Sequence, residues 1–232
     1  MDCQQRCKQT YGCRRVRLWI ERQYGRKINL KAILRIMRKL DLLAQIRRTR
    51  PYTHYHQAVH KYPNLLKRAF KQECPNRFWV TDITYIHTAK GMMYVCAVVD
   101  LCGKMVLSYR IGNNMTASLV TDTIREAKQK EKAADGLTLH SDQGSQYTSQ
   151  AYFDLTQEYN IQPSMSSPGC PYDNAAMENF FGTLKAECLH RTKFTCRAEV
   201  EQAVSEYVQF YNFERINLKN GLTPFEIRSR AA

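Results

Sequence analysis

Residues 78–111 read FWVTDITYIHTAKGMMYVCAVVDLCGKMVLSYRI, and their texture decides the fold. From Phe78 to Thr88, apolar and β-branched residues alternate with polar ones at the period of a strand. Two further apolar runs follow, and Gly103-Lys104 between them reads as a tight turn. The spacing predicts three consecutive antiparallel strands. Beyond them, TASLVTDTIREAKQKEK (116–132) is an amphipathic helix and GLTLHSD (136–142) a buried strand that ends in a polar loop. SQAYFDLTQEYN (149–160) reads as a helix, IQPSMS (161–166) as a short strand and DNAAMENFFGTLKAECLH (173–190) as one long helix. AEVEQAVSEYVQFYNFERI (198–216) is a further helix.

Three antiparallel strands followed by helix, strand, helix, strand and helix is the order of a ribonuclease H-like α/β fold, a mixed five-stranded sheet with flanking helices. Three carboxylates stand out within it. Asp82 lies mid-strand among Val80, Ile83 and Ile86, where a buried acid is costly unless paired or metal-bound. Asp142 follows directly on the strand LTLH, in the loop SDQGSQYTS, and Glu178 lies in the first turns of the long helix. A mid-strand acid, an acid at a neighbouring strand's end and an acid on a packed helix can converge on one point. An all-oxygen cluster of this kind favours hard divalent cations, Mg²⁺ or Mn²⁺, over zinc. Two such cations would activate a water or a 3′-hydroxyl on one side of a phosphodiester and stabilise the leaving oxygen on the other.

Upstream of the strands, Tyr11 to Gly25 mixes apolar and basic positions at helical spacing. Asn29 then stands where it can cap a second helix, LKAILRIMRKLDLL. Leu30, Ile33, Leu34, Met37 and Leu40 form its apolar stripe, and Lys31, Arg35, Arg38 and Lys39 fall largely opposite. Together with Arg14 and Arg15 on the first helix, these make a small all-α, helix-turn-helix-like segment with a basic outer face. We therefore divide the chain into a DNA-binding segment at 1–46, a basic linker at 47–76 and a catalytic core with a C-terminal helix at 77–232. The linker is expected to hold a short helix around Asn64–Phe70. Its Tyr52, Tyr55 and Tyr62 suit either stacking on bases or packing on a neighbouring domain.

The charge is as uneven as the texture. The formal net charge is +14, and residues 1–77 hold 20 basic against 4 acidic side chains. The remainder is near neutral, so the excess marks a polyanion-binding arm on a neutral body. A composition 44% hydrophobic and 24% charged excludes disordered and fibrous classes. The chain holds no apolar run long enough to span a bilayer, and its first residues lack the apolar core of a signal peptide, so we expect a cytoplasmic protein with no membrane partner. Nine cysteines without a Cys-x-x-Cys pair read as free thiols, several of them in the core. Cys3, Cys7 and Cys13 with His56 and His60 are too irregularly spaced for a zinc site.

The motifs WVTDITYI, LHSDQGSQYTS and PYDNAAMENFFGTLKAEC resemble the DDE integrase catalytic core of bacterial insertion-sequence transposases, relatives of retroviral integrases. The 35 residues between Asp142 and Glu178 match that family's spacing. Lys185 stands seven positions beyond Glu178, as the family's basic residue does. The closing YNFERINLKNGLTPFEIR and the upstream YGCRRVRLWIERQYG segment are also similar. The resemblance implies cleavage at the ends of an element, then attack of the freed 3′-hydroxyl on target DNA. Asp82, Asp142 and Glu178 would hold two Mg²⁺ (or Mn²⁺) ions per active site and Lys185 would touch DNA. Asn174 would order the helix start, and His140 would orient a carboxylate or pack at the strand end. DNA, further copies of the chain and the product of an upstream overlapping frame are the implied partners, on a bacterial nucleoid. A ribonuclease H-like nuclease without strand transfer and an inactive DNA-binding remnant or repressor are the alternative readings.

Overall fold

The computed structural model describes residues 2–6, 11–43, 60–131, 136–217 and 220–231. Chain contacts divide it into two compact units, Met1–His54 and Tyr55–Ala232.

The first unit holds helices α1 (Asp2–Arg6), α2 (Cys13–Tyr24) and α3 (Leu30–Lys39). Asn29 caps α3 as its side chain demands, accepting from the Lys31 amide at 2.8 Å. The unit's core is small: Cys3, Val16, Ile33 and Met37 are buried, with Trp19, Ile20 and Ile28 against them. Gln4 of the unexpected helix α1 ties the ends together, donating to the carbonyls of Tyr11 at 2.8 Å and Leu42 at 2.7 Å. Arg14, Arg15, Lys31, Arg35, Arg38 and Lys39 are all exposed. The basic face is solvated.

In the second unit, β1 (Phe78–Thr88), β2 (Gly91–Asp100) and β3 (Val106–Gly112) form an antiparallel meander. Short strands β4 (Thr138–Ser141) and β5 (Gln162–Met165) add to β1 in parallel, giving the order β3-β2-β1-β4-β5. Helices α4 (Ala117–Glu131) and α5 (Gln150–Glu158) cover one face. There Val120, Ile124 and Leu155 pack with Trp79, Cys96 and Val98. Helices α6 (Ala175–Leu184) and α7 (Arg197–Phe213) cover the other, with Met177, Phe180, Leu184 and Val204 against Val80, Val95, Ala97 and Val99. Cover on both faces explains why β2 reads as a nearly continuous apolar run. Each such buried side chain contributes roughly 1.5–3 kcal/mol.

Three expectations need correction. The helix read over 173–190 is three segments: a 3₁₀ turn at Pro171–Asn174, α6, and a π turn at Lys185–Leu189. The π turn brings Leu184 and Leu189, five residues apart, onto the core side together. No helix forms around Asn64–Phe70 either. Lys67 and Arg68 take positive φ of 45° and 63°, the Asn64 side chain accepts from the Lys67 amide at 2.9 Å, and Leu66 enters the core. Tertiary anchoring overrides helix propensity here. The described part of the expected linker, from His60 on, is therefore packed chain, with Tyr62 against the α5 layer, while Tyr52, Tyr55 and His56 lie outside the described residues.

A last helix, α8 (Pro224–Arg230), starts with a Thr223–Glu226 capping box. It docks through Arg228, which bonds the fully buried Asp100, Asn76 and Glu131. Gly103, at φ +71°, lets this happen: a side chain there would collide with the Pro224 carbonyl.

Candidate active site

β1 and β4 are parallel neighbours, and their pairing aligns Val80 with His140. Carrying that register two residues on sets Asp82 beside Asp142, where β4 ends and the strands part. Adjacent strands lie about 4.8 Å apart, as at the last pair, Val80 with His140, and each acid stands two residues further on. Asp82 shares its strand face with Val80, toward the α6 layer. Helix α6 presents Glu178 at its fourth residue, exposed beside the buried Met177. Sheet register and helix packing thus bring the three acids to one end of the sheet.

Their electrostatics are coupled. Burial first, then the Asp142 charge, push the Asp82 carboxyl up to about 7, and Glu178 adds to the push. The Ile83 amide, which donates to Asp82 at 2.7 Å, and the Lys185 ammonium oppose it. Burial of its carboxyl raises Asp142 too, although the residue as a whole is exposed, and the Gly144 amide, donating at 2.9 Å, opposes that rise. Gly144 permits this turn, since a Cβ there would stand 2.9 Å from the Asp142 carboxylate.

Lys185 opens the π turn and lies over the ring of Tyr85, 4.8 Å from its centre. Tyr85 is 52% exposed and three residues beyond Asp82. His140 is fully buried, its ring nitrogens 2.8 Å from the Ser164 hydroxyl and 3.1 Å from that of Ser166. Burial pushes it down to about 4 against the opposing influence of Asp173. It is a neutral, packed strand-end histidine. Asn174 is also buried, but its side chain makes no cap bond. Its Nδ2 reaches the Thr81 carbonyl at 3.5 Å, while its Oδ1 has no partner. It ties the start of α6 to β1 rather than capping the helix.

The donor set fits hard divalent cations: three carboxylates, of which Asp82 is pushed up by burial first and by the Asp142 charge second, with the buried Asn174 amide oxygen left without a partner. Among the described residues no three acidic, His or Cys side chains are gathered closely enough to hold an ion as they stand. Three like charges repel, and gathering them needs the cation's own field. Sequence reading does not single out Tyr85, under Lys185, or Arg68 and Asp173, which pair ahead of α6. Only Tyr85 carried a signal, an aromatic on the polar side of the β1 alternation.

Two integrase core domain models match residues 72–171 and 178–231, and an HTH-like domain model matches residues 3–50. The putative transposase InsK of insertion sequence element IS150 from Escherichia coli K12 is 39% identical over 221 residues, 95% of this chain and 78% of its own. The transposase of IS904 from Lactococcus lactis is 37% identical over 196 residues, 83% of this chain and 77% of its own. The chain belongs to the insertion-sequence transposases. Their fold is that of the retroviral integrases. The simian T-cell lymphotropic virus intasome superposes with a TM-score of 0.61 at 17% identity, over 87% of this transposase and 67% of that chain. The HTLV-2 integrase catalytic core, solved in complex with magnesium, gives 0.50 at 18% identity over 67% and 97%. The mixed five-stranded sheet with flanking helices is the transposase core, and the helical unit before it is its HTH-like domain.

Proposed function

We propose that this transposase cuts the ends of its insertion sequence and joins the freed 3′-hydroxyls to target DNA, with Asp82, Asp142 and Glu178 as its catalytic carboxylates. The observation that supports this reading is the β1–β4 pairing of Val80 with His140, which leaves Asp82 and Asp142 each two residues beyond the last pair, together with the charges of Asp142 and Glu178 that act on Asp82. The three acids would hold two Mg²⁺ or Mn²⁺ ions. When bound, these ions supply the positive charge that acidifies the attacking hydroxyl and stabilises the leaving oxygen in an in-line displacement.

Lys185 engages a phosphate beside the acids, steadied by the Tyr85 face. His140 and Asn174 support the site from behind, one bonded to Ser164 of β5 and to Ser166 just beyond it, the other tied to β1. The exposed arm residues Arg14, Arg15, Lys31, Arg35, Arg38 and Lys39 bind the DNA backbone. One chain holds one acid set and an element has two ends, so at least two copies act together on DNA. The product of an upstream overlapping frame is a further partner in this reading, and the nucleoid is where the protein works.

The test is an assay with labelled element ends and a supercoiled target plasmid in Mg²⁺. End-to-plasmid joined products are expected. Hydrolysed ends without any joining would instead make the protein a nuclease.

A further inference from the structure

The chain between His60 and Phe70 does more than lead into the core. Its Leu65 amide donates to the Ser164 hydroxyl at 2.9 Å, and the Met165 amide donates to the Pro63 carbonyl at 3.2 Å. Leu66 is 1% exposed and lies in the core on the α6 side. Two further side chains from this stretch converge on Asp173, immediately before α6. Asn64 Nδ2 donates to one carboxylate oxygen at 2.9 Å, and Arg68 Nε donates to the other at 2.7 Å. The Ser167 amide adds a third bond at 3.0 Å. The Asp173 side chain is 4% exposed, while that of Arg68 is 55% exposed.

This is an unusual amount of bonding for a loop residue. A buried carboxylate has to be paired, and here every partner fixes a direction. Arg68 takes a positive φ to make its contact, so local backbone strain is accepted in exchange for the ion pair. The bonds also continue inward. Ser164, which accepts from the Leu65 amide, is the partner of His140 Nδ1, and Ser166 on the other ring nitrogen donates to the Ser141 carbonyl beside Asp142. Asn174, next to Asp173, reaches Thr81 beside Asp82. The loop at 166–174 is thereby held between the incoming chain on one side and Thr81 of β1 and the end of β4 on the other. Glu178 follows Asp173 by five residues, little more than one helical turn.

We propose that residues 63–68 form a strap that fixes the loop in front of α6, and that Arg68 and Asp173 are positioning residues for Glu178. This rests on the reading of Glu178 as a catalytic carboxylate. The strap touches no reacting atom. It sets the azimuth and height of α6 over Asp82 of β1 and the end of β4, where a displacement of about 1 Å can cost 10²-fold in rate.

The test uses the full-length chain with Arg68→Ala, Arg68→Lys, Asp173→Asn and, as reference, Glu178→Gln. Joining kinetics, affinity for element ends and hydrogen exchange of peptides spanning 166–178 are measured in parallel. For Arg68→Ala and Asp173→Asn we expect the joining rate to fall about 10- to 100-fold with end affinity within about twofold. Exchange should rise over 166–178 while the β1–β2 peptides stay protected, and Arg68→Lys should recover part of the rate. Unchanged exchange over 166–178 would overturn the proposal. So would a loss confined to end affinity, which would make half-exposed Arg68 a DNA contact. If Glu178→Gln joins normally, the catalytic reading itself fails. If Glu178→Gln is dead while both strap variants join at the normal rate, only the strap fails.

Discussion

At the scale of single residues, Asp82 is the most informative group. Its carboxyl sits at about 7 because burial and the Asp142 charge disfavour its ionised form. In the unfolded chain it would titrate near 3.8. The folded protein therefore binds a proton here that the unfolded chain has lost, and this group's contribution to stability declines as pH rises from about 4 to 7. Asp82→Asn should raise the thermal midpoint of the metal-free protein at pH 8, by an amount on the order of a few kcal/mol in unfolding free energy. The gain should shrink steadily toward pH 5. A pH-independent difference measured by calorimetry would show that neither burial nor the Asp142 charge holds the Asp82 carboxyl up.

Residue identity made Asp82 and Asp142 stand out, because a carboxylate in an apolar strand and another at a strand end are costly without a purpose, whereas Glu178, exposed on α6, stood out by its place in the first turns of the helix and by the family's spacing. Asp173 gave no such sign. It matters through Arg68 and Asn64, more than a hundred residues earlier, and only the folded chain brings them together.

At the scale of elements, the strands were readable because period-two alternation and turn residues are local signals, and β1 spans the predicted residues. The helix boundaries were less so. One apolar helical pattern over 173–190 cannot reveal that Leu184 and Leu189 are reconciled by a π turn, since that depends on the sheet beneath. The short helices α1 and α8 carry too few periodic positions to be seen. Helix α8 is held by tertiary contacts, chiefly Arg228 on the fully buried Asp100. Removing the arginine strands a buried charge, so Arg228→Ala should destabilise the core by about 3–5 kcal/mol. Urea unfolding checks this. A change below about 1 kcal/mol would mean that α8 docks through its backbone and apolar contacts instead.

At the scale of the whole molecule, the division of labour follows the charge. The excess of basic residues lies before β1, and Lys31, Arg35, Arg38 and Lys39 form an exposed face on a unit with its own small core. Replacing these four with Ala should weaken DNA binding and flatten the plot of log affinity against log salt by roughly 0.9 for each phosphate that is no longer neutralised. Filter binding at several salt concentrations would reveal it. An unaltered slope would identify that face as a solvated surface. The core's Mg²⁺ response should be untouched, because the acids belong to the other unit.

The central claim is that Asp82, Asp142 and Glu178 act as one metal-holding unit in DNA cleavage and joining. Its most direct test is Glu178→Gln in the full-length protein, with Mg²⁺-dependent joining of element ends measured beside end binding. The account predicts that joining and hydrolysis both fall by at least about 10³-fold, as when one member of a concerted set is removed, while end binding stays within about twofold because the arm supplies it. Near-normal Mg²⁺-dependent joining by Glu178→Gln would contradict the account.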